Sequence, residues 1–270
     1  MTVLFEAITL DFGNTLVPFP AGPMAEVVRL TAERAAVLLG CSVDDFVSVW
    51  GAERLRQFAE EVPAGREADM DVRVARVLAR LRGQLAPRDG ARWDDAAVAT
   101  YSEPAEVETI LNTYADAFVL KTPVPPGIGP MLERLAGTYR LAILSNWPLA
   151  LAIDSFVENA GWRRYLSAVV VSHRVGAIKP WPRIFEQAAS ELGVASGPAI
   201  LHVGDDLGAD VLGAHGVGWS AAGVRYKPDD SDLPVAPPAP GAKPDFAIDA
   251  ILDLENALGG LGDGLGARRH

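Results

Sequence analysis

The sequence predicts an α/β fold with an open sheet, interrupted by an all-helical insertion. Three observations carry this. Short apolar runs at residues 7–10, 141–144, 168–171 and 200–203 each break off into polar or Gly-containing turns, the mark of buried strands. Helical patterns separate the later runs. Residues 17–122, by contrast, hold several helical patterns and no alternating strand.

The first run ends in Asp11 and turns at once through Phe12-Gly13-Asn14-Thr15. Open α/β sheets bind ligands at the carboxyl ends of their strands. A carboxylate placed there can act as a nucleophile; from this segment alone a turn-former or a helix N-cap is the commoner role.

The insertion comes next. Met24, Val27, Val28, Leu30, Ala35, Leu38 and Leu39 recur at helical spacing as far as Gly40, a sensible stop. A second helix is expected over 43–61, with Phe46, Val49, Trp50, Leu55 and Phe58 as its buried stripe. A third is expected over 71–85 and a fourth between 106 and 119. Arg54, Arg56, Arg66, Arg73 and Arg76 lie among Glu53, Glu60, Glu61 and Glu67, which reads as a solvated, charge-balanced face. The sharper alternative is bidentate recognition of a substrate anion.

Residues 123–127 return the chain to the sheet, and a helix near 128–135 precedes the second run, which ends in Ser145-Asn146. Trp147 follows directly at the mouth. The third run leads through Ser172-His173-Arg174 to Lys179-Pro180, and a helix over 182–192 is closed by Gly193. The fourth ends in Gly204-Asp205-Asp206 with Asp210 beyond it. A short strand near 219–224, a Pro-rich connection over 226–244 read as solvated and mobile, a last strand at 246–248 and a helix near 251–258 complete the chain. His202, inside the fourth run, reads as a satisfied core histidine; His173 is the histidine best placed to donate a proton.

Four strand ends thus deliver a carboxylate, a hydroxyl with an amide, a lysine and an acidic cluster. Those are the parts of phosphoryl transfer: a nucleophile, phosphate-binding donors, a neutralising ammonium and oxygen ligands for Mg²⁺.

In order and spacing these segments resemble the haloacid dehalogenase (HAD) superfamily, in particular its members with a helical C1 cap after the first motif. The resemblance implies a Rossmann-like, doubly wound parallel sheet from residues 1–16 and 123–258, a helical cap over 17–122 serving as a lid, and a flexible tail over 259–270. Asp11 matches the family's nucleophile, Thr15 the hydroxyl near it, and Ser145 the phosphate-binding serine. Lys179 matches the third-motif lysine, and Gly204-Asp205 with Asp210 the acidic fourth motif. A Mg²⁺-dependent phosphohydrolase acting on a small phosphorylated substrate through an aspartyl-phosphate is then expected. Its metal would lie at Asp11, the Gly13 carbonyl and Asp205. Thr15, Ser145 and Asn146 would hold phosphate oxygens, and Asp210 would steady the Lys179 ammonium or a water at the metal.

One departure stands out. Phosphatases of the superfamily usually carry a second Asp two residues after the nucleophile, which protonates the leaving group; here that position is Gly13. General acid–base help of that kind is worth about 10²–10⁴ in rate. The dehalogenase and phosphonatase branches also lack that Asp. Two further readings therefore stand beside the first: a dehalogenase-like C–X hydrolase, and a catalytically impaired domain kept for ligand or protein binding. Asp205 and Asp210 argue against a dehalogenase, since clustered carboxylates without a cation repel a carboxylate substrate.

Composition narrows the partners. A net charge of −11 and a pI near 4.8 disfavour nucleic-acid binding, which needs excess Lys and Arg. Cys41 is the single cysteine, so an intrachain disulfide is excluded and a reducing cytoplasm is expected. No basic segment precedes the first apolar run and no apolar stretch approaches ~20 residues, so a soluble protein with no membrane span is expected.

Overall fold

All six strands lie in one parallel sheet, in the order β3-β2-β1-β4-β5-β6. In chain order these are β1 (Ala7–Leu10), β2 (Arg140–Ser145), β3 (Ala168–Val171), β4 (Ile200–Gly204), β5 (Ser220–Val224) and β6 (Phe246–Ile248). The computed structural model describes residues 5–266 apart from 89, 232 and 237–239. Parallel strands are covered on both faces, which is why β1, β3 and β4 read as mainly apolar runs, interrupted only by Thr9 and His202, and are buried along their whole length. The first three strands run outward on one side of β1 and the last three on the other. The order therefore reverses between β1 and β4, the crevice where such sheets bind ligands.

The chain divides into two compact units. The sheet unit comprises Met1–Ala21, Val124–Asn146 and Val157–His270. It carries helices α6 (Ile128–Ala136), α8 (Ser172–Val175), α9 (Pro182–Leu192), α10 (Leu212–Gly216) and α11 (Leu254–Gly266). The helical unit comprises Gly22–Pro123 and Trp147–Phe156, with α1 (Pro23–Leu39), α2 (Val43–Glu61), α3 (Met70–Leu81), α4 (Asp95–Ala99) and α5 (Pro104–Lys121). Helix α7 (Ala150–Asn159) begins in the helical unit and ends in the sheet unit.

These borders differ from the expected 17–122. Residues 17–21 stay with the sheet, and Trp147–Phe156 joins the helices. Aromatic packing accounts for the second shift: the Phe118 ring lies 5.3 Å from Trp147 and 6.2 Å from Phe156. Met70 N also donates to Pro148 O at 2.9 Å. Trp147 is accordingly a buried packing residue of the helical unit.

Local signals explain the helix ends. Pro23, Pro104 and Pro182 occupy first-turn positions, where the missing N–H costs nothing. Ser42 caps α2 by accepting from Asp45 N at 3.0 Å. Gly40 and Gly193 close α1 and α9 at φ of 67° and 64°, a left-handed conformation that favours glycine. The expected tail begins at residue 259, inside α11. Leu254 and Leu258 bury one side of α11, and the helix continues through Gly266; residues 267–270 lie outside the described residues.

The buried stripe of α2 is also corrected. It runs Phe46, Trp50, Glu53 and Gln57, while Leu55 is 69% exposed and Val49 only half-buried. Arg73 and Arg76 are not on a solvated face either: both are 2% exposed. Among the described residues no single helix is long and apolar enough to cross a membrane.

One face of the sheet packs against α9 and α10 through Ala142, Leu144, Val170, Ile184, Phe185 and Trp219. Phe185 meets both Trp219 and His202 edge-on, with centroids 5.4 and 5.5 Å away. Gly213 is fixed by this packing, because a Cβ there would sit 2.6 Å from the Phe185 ring and 2.9 Å from Pro180 Cα.

Candidate active site

Asp11 leaves β1 at the switch point and continues the ladder, its N–H donating to Val203 O at 2.9 Å. The chain then folds back on itself: Leu16 and Val17 donate to Phe12 O, and Gly13 pairs with Val17. Asn14 adopts φ 56°, a left-handed conformation that Asn tolerates better than most residues. Its Oδ1 accepts from Phe19 N at 3.1 Å, which holds the turn shut.

Lys179 reaches this turn from the loop after β3. Its Nζ donates to Asp11 Oδ1 at 2.6 Å, to Asp210 Oδ1 at 2.6 Å and to Leu144 O at 2.9 Å. Burial opposes the ammonium's charge, but the carboxylates of Asp11 and Asp210 outweigh it, and the Lys179 pKa rises above the ordinary lysine value. Asp210 moves the other way: despite burial, Lys179 and His202 hold its carboxyl far below the usual range.

Asp210 is fully engaged. Besides Lys179, its Oδ1 meets His202 Nε2 at 3.0 Å, and its Oδ2 accepts from Asp206 N at 2.9 Å. His202 is buried and its pKa is lowered by burial, so the ring is neutral. The Nε2–H donates to Asp210, leaving Nδ1 to accept from Thr9 Oγ1 at 2.8 Å. Gly204 makes room for this carboxylate: a Cβ there would lie 2.1 Å from Asp210 Oδ2.

Asp205, at the end of β4, lies 3.5 Å from Thr15 Oγ1. Oxygens of Asp11, Asp205 and Asp210 fall within 4.8 Å of one another, a grouping able to hold a metal ion. Burial, with repulsion from Asp11 and Asp210, pushes the Asp205 pKa up to about 8. Burial likewise raises Asp11 to about 6, against the pull of Lys179. These carboxylates are short of positive charge. Asp210 is spent on Lys179 and His202, so Asp11 and Asp205 are the donors available, and hard oxygens of this kind fit Mg²⁺.

Of the expected site residues, the structure gathers Asp11, Gly13, Thr15, Lys179, Asp205 and Asp210 about the ends of β1 and β4. Ser145 ends β2 and is buried. Asn146 meets the main chain of Lys179. Its Nδ2 donates to Lys179 O at 3.1 Å and its Oδ1 accepts from Lys179 N at 2.7 Å, so the amide clamps the lysine's main chain. Asp206 caps the turn before Asp210 by accepting from Gly208 N and Ala209 N. Sequence reasoning missed the clamp, although an amide directly after the second strand was the visible signal. It also missed Thr9, whose alternation with Asp11 along β1 places both side chains on one face.

A fold and a site of this kind define a class. The family model of haloacid dehalogenase-like hydrolases matches residues 5–218, and the chain belongs to that family. It is a hydrolase on a Rossmann-like parallel sheet with an inserted helical unit. The glyceraldehyde 3-phosphate phosphatase of Methanopyrus kandleri is 26% identical over 255 residues, covering 93% of this chain and 96% of that protein. The pyrimidine 5'-nucleotidase of Escherichia coli is 28% identical over 161 residues, 58% of this chain and 64% of that protein's length. The 2-haloacid dehalogenase of Pseudomonas syringae shares the fold at a TM-score of 0.63 and 21% identity, over 95% of this chain and 99% of that one.

Proposed function

We propose that this chain is a Mg²⁺-dependent phosphohydrolase that takes a small phosphorylated substrate and uses Asp11 as its nucleophile. One observation carries the reading: oxygens of Asp11, Asp205 and Asp210 gather within 4.8 Å of one another, and burial with repulsion from the other two pushes Asp205 up to about 8. Such a site is completed by a divalent cation and repels a halocarboxylate, which tells against the dehalogenase alternative. Curated relatives named for phosphatases over nearly the whole chain support it.

Asp11, with a pKa near 6, is largely ionised at neutral pH and so can attack. Its carboxylate attacks phosphorus opposite the departing oxygen and forms an aspartyl-phosphate, which water then hydrolyses. Lys179 fixes the attacking carboxylate, Asp210 fixes Lys179, and Asn146 fixes the main chain that carries it. Asp11, the Gly13 carbonyl and Asp205 would hold Mg²⁺, which when bound would supply charge neutralisation for the phosphoryl group. Thr15 and Ser145 are the hydroxyls placed to meet its oxygens.

Gly13 has no proton to give, so the enzyme favours leaving groups that depart without one, such as acyl and aryl phosphates. The test compares kcat/KM for an aryl phosphate and a sugar phosphate, with halocarboxylates alongside and Mg²⁺ present or absent. The expected result is Mg²⁺-dependent turnover of the aryl ester, with the sugar phosphate slower by about 10²–10⁴ and partly rescued in Gly13→Asp. Equal rates on both esters would mean that another group supplies the proton. Dehalogenation without Mg²⁺ would overturn the reading.

A further inference from the structure

Lys179 cannot meet the substrate's phosphoryl oxygens without releasing an acceptor. An ammonium has three N–H bonds, and Asp11, Leu144 O and Asp210 take all three. Charge makes the same point. Asp11, Asp205 and Asp210 set against Lys179 leave an excess of two negative charges when all are ionised; a divalent cation cancels it, and an incoming phosphoryl dianion tips the site negative again. A second protein cation is what the chemistry lacks.

The Pro-rich segment after β5 brings one. It does not hang free, as its composition suggested, but is tied to both loops of the site. Asn14 Nδ2 donates to Ser231 Oγ at 3.0 Å, and Ala236 N donates to Asp206 Oδ2 at 2.7 Å. At its start, Tyr226 N donates to Asp249 O at 2.8 Å. Between these anchors in the chain stands Lys227, whose Nζ lies 3.9 Å from Asp205 Oδ2. That is beyond hydrogen-bond length, and the side chain is 41% exposed. The neighbouring cation, Arg225, is engaged with Asp249 at 2.7 Å.

We propose that Lys227 is a substrate-binding residue, whose ammonium donates to phosphoryl oxygens entering beside Asp205. The assignment rests on the phosphohydrolase reading. Anchoring on Asn14 and Asp206 makes the segment a fixed arm of the site, with Lys227 held at its edge and its N–H bonds available to the anion.

The experiment is calorimetric titration of inorganic phosphate into wild type, Lys227→Met and Lys227→Arg with saturating Mg²⁺, with Mg²⁺ affinity and thermal midpoint measured separately. Lys227→Met should weaken phosphate binding about tenfold or more, the size of a lost charge-assisted hydrogen bond, and raise KM more than it lowers kcat. Lys227→Arg should recover most of the affinity. Mg²⁺ affinity and thermal midpoint should not fall, which separates contact with the anion from a structural role. Phosphate binding by Lys227→Met equal to that of a wild type that binds it would overturn the role of Lys227 alone. A wild type with no affinity for phosphate would overturn the phosphohydrolase reading and this assignment with it.

Discussion

The two units bury charge in opposite ways. In the helical unit the charges close on one another. Glu53, fully buried on α2, accepts from Arg80 Nη1 at 3.1 Å and Trp93 Nε1 at 2.9 Å. Arg76 gives Nε and Nη2 to the two oxygens of Asp95, at 2.8 and 3.0 Å, and Nη1 to Glu60 at 2.9 Å. Arg73 donates to Gln57 Oε1 and Ala68 O, with its guanidinium 5.6 Å from the centre of the Trp50 ring. In the sheet unit, three clustered carboxylates have one buried lysine, a neutral histidine and, 3.9 Å from Asp205, the partly exposed Lys227. A saturated network specifies a shape, and an unbalanced one is the kind found at functional sites.

The sharpest way to break this contrast is at the nucleophile. Asp11→Asn keeps the side chain's shape and removes the attacking oxygen, so hydrolysis should fall to background while the protein stays folded by circular dichroism. Turnover comparable to wild type would move the chemistry elsewhere.

Glu53→Ala tests the closed network. It leaves the partly buried donors Arg80 and Trp93 without their acceptor, at a cost of about 1–3 kcal/mol. Urea unfolding should show that loss, with Mg²⁺ affinity unchanged. A loss of Mg²⁺ binding with stability intact would reverse the roles given to the two networks.

A smaller effect separates them by pH. A carboxyl group whose folded pKa is raised binds its proton more tightly when folded, so its stabilisation is present at low pH and is lost as pH rises through the folded value. Asp205, at about 8, behaves this way. His202 has the opposite sign, because burial lowers its folded pKa from 6.5, and its influence ends near that value. From pH 6.5 to 8, therefore, the thermal midpoint of the metal-free protein should fall, and Mg²⁺ should restore it more at pH 8 than at 6.5. A midpoint indifferent to both pH and Mg²⁺ would remove Asp205 from the cation site.

The least effect is expected at the surface. Arg29 and Glu33 form an exposed i,i+4 pair at 3.0 Å, and Arg29→Ala should change stability by no more than about 0.5 kcal/mol in the same urea assay.

Much of the sheet unit was legible because parallel strands announce themselves. Mainly apolar runs at β1, β3 and β4 are each followed by a polar residue, and the candidate site lies beside two of those endings, at Asp11 and Asp205. Helix α9 was equally plain, framed by Pro182 and Gly193. What escaped reading depended on partners distant in sequence. Glu53 and Gln57 look like solvent-facing residues of α2 until Arg80, Trp93 and Arg73 are folded against them. The hydrophobic rule favoured Leu55 for the same stripe, and tertiary pairing overrode it. The Asn146 clamp was not legible, because nothing local shows that Lys179 presents its main chain to the amide. The anchoring of residues 226–236 was hidden in the same way, since Ser231 meets Asn14 across most of the chain's length.

The hydrogen bonds around Asp210 have one more consequence. Thr9 leads to His202, His202 to Asp210, Asp210 to Lys179, and Lys179 to Asp11, which stands two residues beyond Thr9 in the chain, just past the end of β1. The path is closed through the backbone of residues 9–11. Groups in one hydrogen-bond network couple, so once it is broken at one link a second cut removes less than the first. Substitutions at Thr9 and Asp210 should therefore cost less together than the sum of their separate costs, although the two side chains share no direct bond.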